Sequence, residues 1–254
     1  MSDAPIKRAY KLKKQRPDDR DLLHVAPPTQ LQAVDLRPLM PPVLDQGELG
    51  ACASHAACNA LHYLLKKESL PEFSPSRLFL YYNTRVKVEG SPADEDTGVA
   101  IRDVCKALTK WHVCDEKLWP YVIPRYSQCP PTIAYAAAKQ HLVLAYKRVH
   151  PTVDAMKATL AGGVPIVIGL QIYESFESRR VAATGLVPMP NPSTEQLLGG
   201  HALLVCGFDD QTQRFTVCNS WSGGWGDKGY CYIPYAYVTD PDLAADFWAI
   251  SRFE

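Results

Sequence analysis

The first half of the 254-residue chain spaces its apolar side chains as helices do. From Cys52 onward, alanine and leucine recur every three or four positions until Lys66 and Lys67, shortly before Pro71. This spacing predicts an amphipathic helix that ends at the two lysines. Similar but shorter patterns predict four more helices: one from Ser74 with Pro75 in its first turn, one over about 98–110, one over 132–141, and one that Thr152 caps and that stops at Gly162.

The second half of the chain has the pattern of strands. Short apolar runs rich in valine, isoleucine and aromatic residues are separated by turns that contain glycine and aspartate. They predict an extended segment over 143–149 and strands over 166–170, 202–208, 215–218, 230–233 and 247–251. Helices early and strands late predict an α+β protein built in two parts.

The polar, basic N-terminal segment, residues 1–33, lacks a sustained apolar period and contains the break Ala26-Pro27-Pro28. We interpret it as an N-terminal arm and residues 34–254 as the folded domain. No apolar stretch of the length that a signal peptide needs follows the basic residues. The expectation is therefore a cytoplasmic protein, or one exported without a cleavable signal peptide.

The composition narrows the class of partner. Lysine and arginine together number 27, as do aspartate and glutamate, so the formal net charge is zero. A basic excess that would favour nucleic acid is lacking, and no apolar run approaches the roughly 20 residues that cross a bilayer. Neither nucleic acid nor a membrane is expected as a partner. The eight cysteines are expected to be free thiols. In an oxidising environment, a disulfide between Cys114 and Cys129 is an alternative.

One cysteine stands where a thiol is readily activated. Cys52 follows a glycine-containing loop and begins the predicted helix, where amide groups and the helix dipole favour a thiolate. Taken alone, a cysteine followed by alanines is more often a small buried hydrophobic residue. Gln46 lies six residues earlier, and its amide, with the Cys52 N–H, is placed to face a developing oxyanion.

The second half supplies a base and a side chain to orient it. His201 directly precedes the apolar strand that starts at Ala202, so we expect it at the strand entrance. A hairpin from about Ala202 to Asn219, turning over 209–213, brings His201 and Asn219 within hydrogen-bond reach. With Cys52, these residues have the types and order of a thiol triad.

Four motifs then match one family in the expected order. They are Val34-Asp35-Leu36-Arg37, Gln46-Gly47-x-x-Gly50-x-Cys52, Gly200-His201-Ala202, and the run from Asn219-Ser220-Trp221 to Trp225-Gly226-Asp227-Lys228-Gly229-Tyr230. Together they resemble the papain-like cysteine peptidases. His201 follows Cys52 within the interval of about 130–150 residues typical of that family, and Asn219 lies a little beyond it.

The resemblance implies a fold and a reaction. It implies a helical left half carrying Cys52, an antiparallel β-barrel-like right half carrying His201 and Asn219, and a groove between them. Cys52 and His201 would rest as an ion pair. The implied activity is a thiol-dependent endopeptidase acting on peptides or proteins through an acyl-enzyme, with no cofactor.

The resemblance also assigns supporting roles. Gln46 would stabilise the oxyanion, and Trp221 would shield the contact between His201 and Asn219. Gly98 would pair with an extended substrate, Trp225 would line the leaving-group side of the groove, and Ala202 would contact substrate. The alternative for Gly98 is a glycine that simply starts a helix. The alternative for the two tryptophans is an ordinary place in the aromatic core.

Two departures from the family pattern keep other functions open. Leu49 stands where relatives carry a second cysteine, and Ala53 replaces the tryptophan after the nucleophile. The same residues could serve an exopeptidase, a deconjugating enzyme or an acyl-transfer enzyme. A catalytically weak binding scaffold is the alternative from a different class.

Two hypotheses concern segments beside the catalytic motifs. The short arm, residues 1–33, is expected to lie across the groove as an inhibitory propeptide, which would make the chain a zymogen. The acidic triplet 94–96 is expected to be a solvated loop, although its proximity to Gly98 would let it bind basic side chains of a substrate. A metal site is not expected, because four candidate ligands on the first helix spread over roughly 15 Å: Cys52, His55, Cys58 and His62.

Overall fold

The structure, a computed structural model, describes residues 8–15, 18–140 and 144–252. Its first part is helical, as the pattern predicts. The helices are α1 (Cys52–Lys67), α2 (Arg77–Tyr82), α3 (Ile101–Trp111) and α4 (Thr132–Ala138), with a wider helical turn over Asn83–Val88 and single tight turns at Arg37–Leu39 and Ile123–Arg125.

The second part is built on one antiparallel sheet. Its strands are β1 (Ala33–Asp35), β2 (Leu144–Arg148), β3 (Ile166–Tyr173), β4 (Leu197–Asp209), β5 (Arg214–Cys218), β6 (Tyr230–Pro234) and β7 (Ala244–Arg252). Helices α5 (Val153–Ala161), α6 (Arg179–Thr184) and α7 (Tyr235–Thr239), and a tight turn at Glu174–Glu177, connect them.

The strands are ordered β2-β7-β3-β4-β5-β6, and β1 pairs with the end of β4. The predicted α+β class is confirmed. The barrel-like closure is wrong, because within the described residues the sheet is open, with β2 and β6 at its edges.

Both faces of the sheet are covered, and the strands alternate between two cores. Val167 of β3 and Leu204 of β4 pack in the core that contains α1, whereas the neighbouring Ile168 and Val205 face a second core. This is the period of two expected of strands. The small alanines of α1 let the helix lie close against β4, and Ala56 lies next to Ala202. The close packing fixes the start of α1 against the middle of the sheet.

Three helix boundaries differ from the predicted ones. Ser76, not Ser74, caps α2, because its Oγ accepts a hydrogen bond from the Phe79 amide at 3.2 Å. Helix α3 begins at Ile101, since Gly98 has a positive φ of 65° that a right-handed helix does not accommodate. Helix α4 ends at Ala138, whereas its predicted end, residue 141, lies outside the described residues.

The described residues of the arm, 8–15 and 18–33, contact both parts. Its later residues add short backbone contacts to the sheet, with Leu23 bridging to Arg148 of β2 and the carbonyl of Gln32 accepting from the Asp210 amide at 2.8 Å. None of the described helices is long and apolar enough to cross a membrane. All eight cysteines are free, so the Cys114–Cys129 disulfide is not formed; Cys114 is buried and Cys129 exposed.

Candidate active site

The predicted base lies on β4, and its orienting amide directly follows β5. The β4–β5 hairpin places His201 beside Asn219, and His201 Nε2 lies 2.9 Å from Asn219 Oδ1. Asn219 Oδ1 also accepts from the Ser220 amide at 2.8 Å, which identifies this atom as the carbonyl oxygen. Nε2 therefore carries the hydrogen and donates it. Nδ1 is left as the basic nitrogen, and this buried atom has no hydrogen-bond partner.

His201 lies further inside the sheet than predicted. It is the fifth residue of β4 and pairs with Leu170 of β3, so the expectation of a strand entrance is wrong. The strand begins earlier because residues 197–200 also pair with β3. Pairing with β3 fixes the backbone of His201, and the contact with Asn219 fixes the orientation of its ring.

An aromatic cluster covers the histidine. The Trp221 ring stacks on His201 with ring centroids 5.0 Å apart and an interplanar angle of 25°. Trp225 meets Trp221 edge to face at 4.9 Å and stacks on Phe176. Trp221 thus lies where a shield for the His201–Asn219 contact was expected, while Trp225 is mostly buried behind it. Phe176, which closes the cluster, was not singled out from the sequence because nothing local marks it.

Cys52 is the first residue of α1, as predicted, and lies against the histidine strand. The backbone N–H groups of Ala202 and Ala53 face its sulfur. Burial is the dominant influence and raises the pKa of the thiol to about 11, although these amides act in the opposite direction. Ala202 therefore contacts the candidate nucleophile through its backbone.

Burial shifts the histidine toward its neutral form as well. It lowers the pKa of His201 to about 4, while the hydrogen bond that His201 donates to Asn219 opposes the shift. Cys52, His201 and Asn219 are each only 1% exposed. The covered site thus favours a neutral thiol and a neutral imidazole instead of the expected resting ion pair, because both groups are desolvated.

Gln46 is held in place before any substrate arrives. Its Nε2 donates to the Leu49 carbonyl at 3.0 Å, and its Oε1 accepts from the Ser220 hydroxyl. The Tyr121 hydroxyl donates to the Gln46 carbonyl at 2.9 Å. An amide nitrogen carries two hydrogens, so one remains for a reacting oxygen. The buried Gln46 is therefore rigid and has donor capacity to spare.

The arm crosses this site as an extended strand. The Lys11 side chain lies beside Gly50, and Lys11 forms a parallel bridge with Gly200. The Leu12 amide donates to the Gly200 carbonyl at 3.2 Å, and the ring of Tyr10 lies 6.0 Å from that of His201. The candidate nucleophile and base are thus covered by the chain's own N-terminal segment.

Gly98 forms the opposite wall of the groove. A Cβ added there would lie 1.8 Å from the Lys11 carbonyl oxygen, so only glycine allows the arm this close. Its positive φ is a second reason for glycine. Since α3 begins three residues later, the alternative of a helix-start glycine does not apply.

The acidic triplet is more ordered than a solvated loop. Asp96 accepts hydrogen bonds from the Gly50 amide and the Tyr81 hydroxyl, and pairs with Lys11. The buried Arg85 donates to three carbonyls of the same loop, including that of Glu95. The sequence showed the charges of this loop but not its partners, which come from distant positions.

The candidate metal ligands of α1 have other partners. His55 Nδ1 lies 3.0 Å from the Ala51 carbonyl, and His62 pairs with Glu72 at 3.4 Å. Among the residues that the structure describes, no group of three or more histidine, cysteine, aspartate or glutamate side chains is arranged to hold a metal ion.

Comparison with known proteins identifies the family of the chain. The family model described as papain family cysteine protease matches residues 28–241. An uncharacterised peptidase C1-like protein of Acanthamoeba polyphaga mimivirus is 38% identical over 99% of this chain and 89% of its own length. Xylellain, a cysteine protease from Xylella fastidiosa, has a TM-score of 0.87 and 34% identity, with both chains fully covered.

A more distant neighbour shares the fold. Digestive procathepsin L 3 from the larval midgut of Tenebrio molitor has a TM-score of 0.67 at 19% identity, over 98% of this chain and 76% of its own. The family match spans most of the chain and includes all the candidate catalytic residues. The chain belongs to the papain family of cysteine proteases.

Proposed function

We propose that the protein is a thiol-dependent endopeptidase whose triad is Cys52, His201 and Asn219. His201 Nδ1 takes the thiol proton as the Cys52 sulfur attacks a peptide carbonyl, and the same nitrogen then protonates the leaving amine. Gln46 Nε2 and the Cys52 amide stabilise the oxyanion. Water, activated by His201, hydrolyses the acyl-enzyme. The contact of 2.9 Å between His201 and Asn219 is the observation that carries the proposal.

The length of strand that the groove holds favours an endopeptidase over an exopeptidase. The arm lies in the groove over Arg8–Gln15, from Trp221 on one side of Cys52 to Asp246 on the other. Eight extended residues span about 26 Å. An exopeptidase needs a barrier close to the nucleophile that stops one end of its substrate. A groove that holds this strand on both sides of Cys52 suits internal cleavage.

We further propose that the arm, residues 1–33, inhibits the enzyme. Arg8 lies over the Trp221 ring at 3.9 Å, and the Lys13 amide donates to the Val99 carbonyl at 3.2 Å. The arm thus runs from the tryptophan side toward Gly98. If Trp225 marks the leaving-group side, as the family resemblance implies, a substrate runs in the opposite direction. Reversed polarity lets the arm occupy the groove without presenting a peptide bond in the reactive orientation.

Turnover of internally quenched peptides under reducing conditions tests both proposals. The proteins are the full chain, Cys52→Ala, Leu12→Glu to unseat the arm, and Val25→Glu as a matched control. Leu12 is half-buried against Gly200 and Gly169, where a carboxylate loses part of its hydration, whereas Val25 is 88% exposed in the same arm. We expect Leu12→Glu to raise kcat/KM about tenfold or more and Val25→Glu to leave it unchanged.

The two proposals fail in different ways. Turnover that persists in Cys52→Ala combined with Leu12→Glu, or that is absent from every protein, contradicts the peptidase proposal. Cys52-dependent turnover that is equal in the full chain and in Leu12→Glu contradicts inhibition by the arm and leaves the peptidase proposal standing.

A further inference from the structure

The arm places two lysines and one leucine into the groove in strict alternation. Lys11, Leu12 and Lys13 are consecutive and extended, so the two lysines project to one face and the leucine to the other. Lys11 meets Asp96, and Lys13 meets Glu89. The groove therefore has two acidic contacts separated by one residue of an extended strand.

The first acidic contact is built by the domain, independently of the arm. Asp96 is held by the Gly50 amide, at 3.1 and 3.2 Å from its two carboxylate oxygens, and by the Tyr81 hydroxyl. Its side chain is 15% exposed and binds Lys11 Nζ at 2.8 Å. A carboxylate fixed by partners within the domain keeps its position when the arm leaves, so its charge then faces the groove next to Cys52.

The second acidic contact is built in the same way. The Ala100 amide donates to Glu89 Oε1 at 2.8 Å, while Oε2 binds Lys13 Nζ at 2.6 Å. The Glu89 side chain is 9% exposed. The hydroxyl of Thr97 lies 3.1 Å from the same ammonium. This set of acceptors suits a lysine or arginine head group.

The position between the two lysines is apolar. A Cβ added at Gly169 would meet the Leu12 side chain at 2.8 Å and Ile101 at 3.6 Å. The Leu12 amide and carbonyl lie against Gly200. The groove thus receives a basic, an apolar and a basic side chain in turn. Because side chains alternate in any extended strand, the order of contacts is retained when a peptide runs in the opposite direction.

We propose that the groove selects peptides with a basic, an apolar and a basic residue in succession, the Glu89 contact binding the first and the Asp96 contact binding the third. In a substrate that runs opposite to the arm, the third residue directly precedes the cleaved bond. The inference rests on the proposed peptidase function and specifies its substrate class. On this account, the arm resists displacement because its side chains imitate those of a substrate.

Peptide binding tests the proposal separately from turnover. The protein is the full chain carrying Leu12→Glu and Cys52→Ala, which frees the groove and prevents cleavage. Dissociation constants are measured by fluorescence anisotropy for peptides containing Lys-Leu-Lys, norleucine-Leu-Lys and Lys-Leu-norleucine. Norleucine retains the aliphatic stem of lysine without its charge. Each replacement is expected to weaken binding about tenfold, as for a hydrogen bond to a charged group.

Substitutions then assign each preference to one carboxylate. Asp96→Asn is expected to abolish the preference for lysine at the third position only, and Glu89→Gln at the first position only. Asp94→Asn, an exposed residue of the same loop, removes the same charge and is expected to retain both preferences.

Three results would overturn the inference. They are equal binding of the three peptides, loss of both preferences in either single variant, and the same loss in Asp94→Asn, which would indicate a general charge effect. In Leu12→Glu with Cys52 present, kcat/KM is expected to follow the same ranking. Selective binding without Cys52-dependent turnover would contradict the peptidase function while supporting the selectivity.

Discussion

His201 and Gln46 owe their arrangement to hydrogen bonds made before a substrate arrives. Asn219 accepts from one ring nitrogen of His201 and leaves the other free, and Ser220 and Leu49 fix the Gln46 amide. Such preorganisation avoids reorienting these groups during the reaction. At Gly98 the missing side chain has an equivalent role, since it allows a strand to lie against the backbone.

Gly98→Ala is therefore expected to impair the groove, and Gly90 offers a matched control. Both glycines have a positive φ, 65° and 69°, but an added Cβ at Gly90 meets nothing within 4 Å. Each alanine should cost about 1 kcal/mol of stability through backbone strain. In the Leu12→Glu protein, Gly98→Ala should also lower kcat/KM at least tenfold, whereas Gly90→Ala should not. Peptide turnover measures kcat/KM, and urea unfolding measures the loss of stability. Equal kcat/KM in the two variants would contradict the role of Gly98.

The sequence identified residues whose chemistry depends on local chain geometry. Cys52 was predicted correctly at the start of a helix, because the loop before it and the apolar spacing after it are both local signals. The position of His201 within β4 was missed, since it depends on pairing with the distant β3. The partners of Asp96 were missed for the same reason: they come from the arm, from the loop before α1 and from α2.

The arm is the element whose path explains the covered state. Its basic side chains pair with acidic groups on the groove: Arg8 with Glu177 at 3.2 Å and, as described above, Lys11 and Lys13 with their two carboxylates. The sequence showed a basic arm without regular structure. It could not show the path, because a strand that docks on another element takes its conformation from that element.

Inhibition by the arm should therefore weaken as salt increases. Raising the ionic strength from about 0.05 M to about 0.5 M shortens the screening length several-fold and weakens partly exposed ion pairs. With an uncharged substrate, we expect the activity of the full chain to rise several-fold. The activity of Leu12→Glu should change little, because its arm is already displaced. A parallel change in both proteins would contradict an electrostatic contribution to arm docking.

At the scale of the whole molecule, one buried, neutral histidine lies in each of the two parts. His201 lies on β4, and His55 lies on α1, where its ring meets that of Tyr121 at 4.8 Å. Burial, assisted by the nearby Arg77, lowers the pKa of His55 to about 3. The α+β class was predictable because helix and strand periods separate along the chain. The open sheet was not, because closure depends on strands that are distant in sequence.

The two histidines should make the fold less stable in acid. Their folded-state pKa values, about 4 and about 3, lie below the ordinary value of 6.5, so the unfolded chain binds more protons. The free energy of unfolding should fall as the pH decreases below 6.5, with each histidine contributing up to about 1.4 kcal/mol per pH unit. Urea unfolding between pH 7 and pH 5 measures this slope.

Substitution of His55 tests how much this residue contributes to the pH dependence of the free energy of unfolding. His55→Gln should reduce the pH dependence, whereas His150→Gln, at an exposed position, should not. The same slope in His55→Gln and in the unsubstituted chain would show that burial of His55 does not contribute.

The most direct test of the central claim is to identify which cysteine reacts with a peptidyl fluoromethyl ketone, by intact mass and peptide mapping. We expect one modification, at Cys52 among the eight cysteines. It should be rapid in Leu12→Glu, slow in the full chain, and lost when His201→Ala is added to Leu12→Glu. Modification of the exposed Cys129 instead, or labelling of Cys52 that is equally fast with the arm docked and without His201, would contradict this expectation.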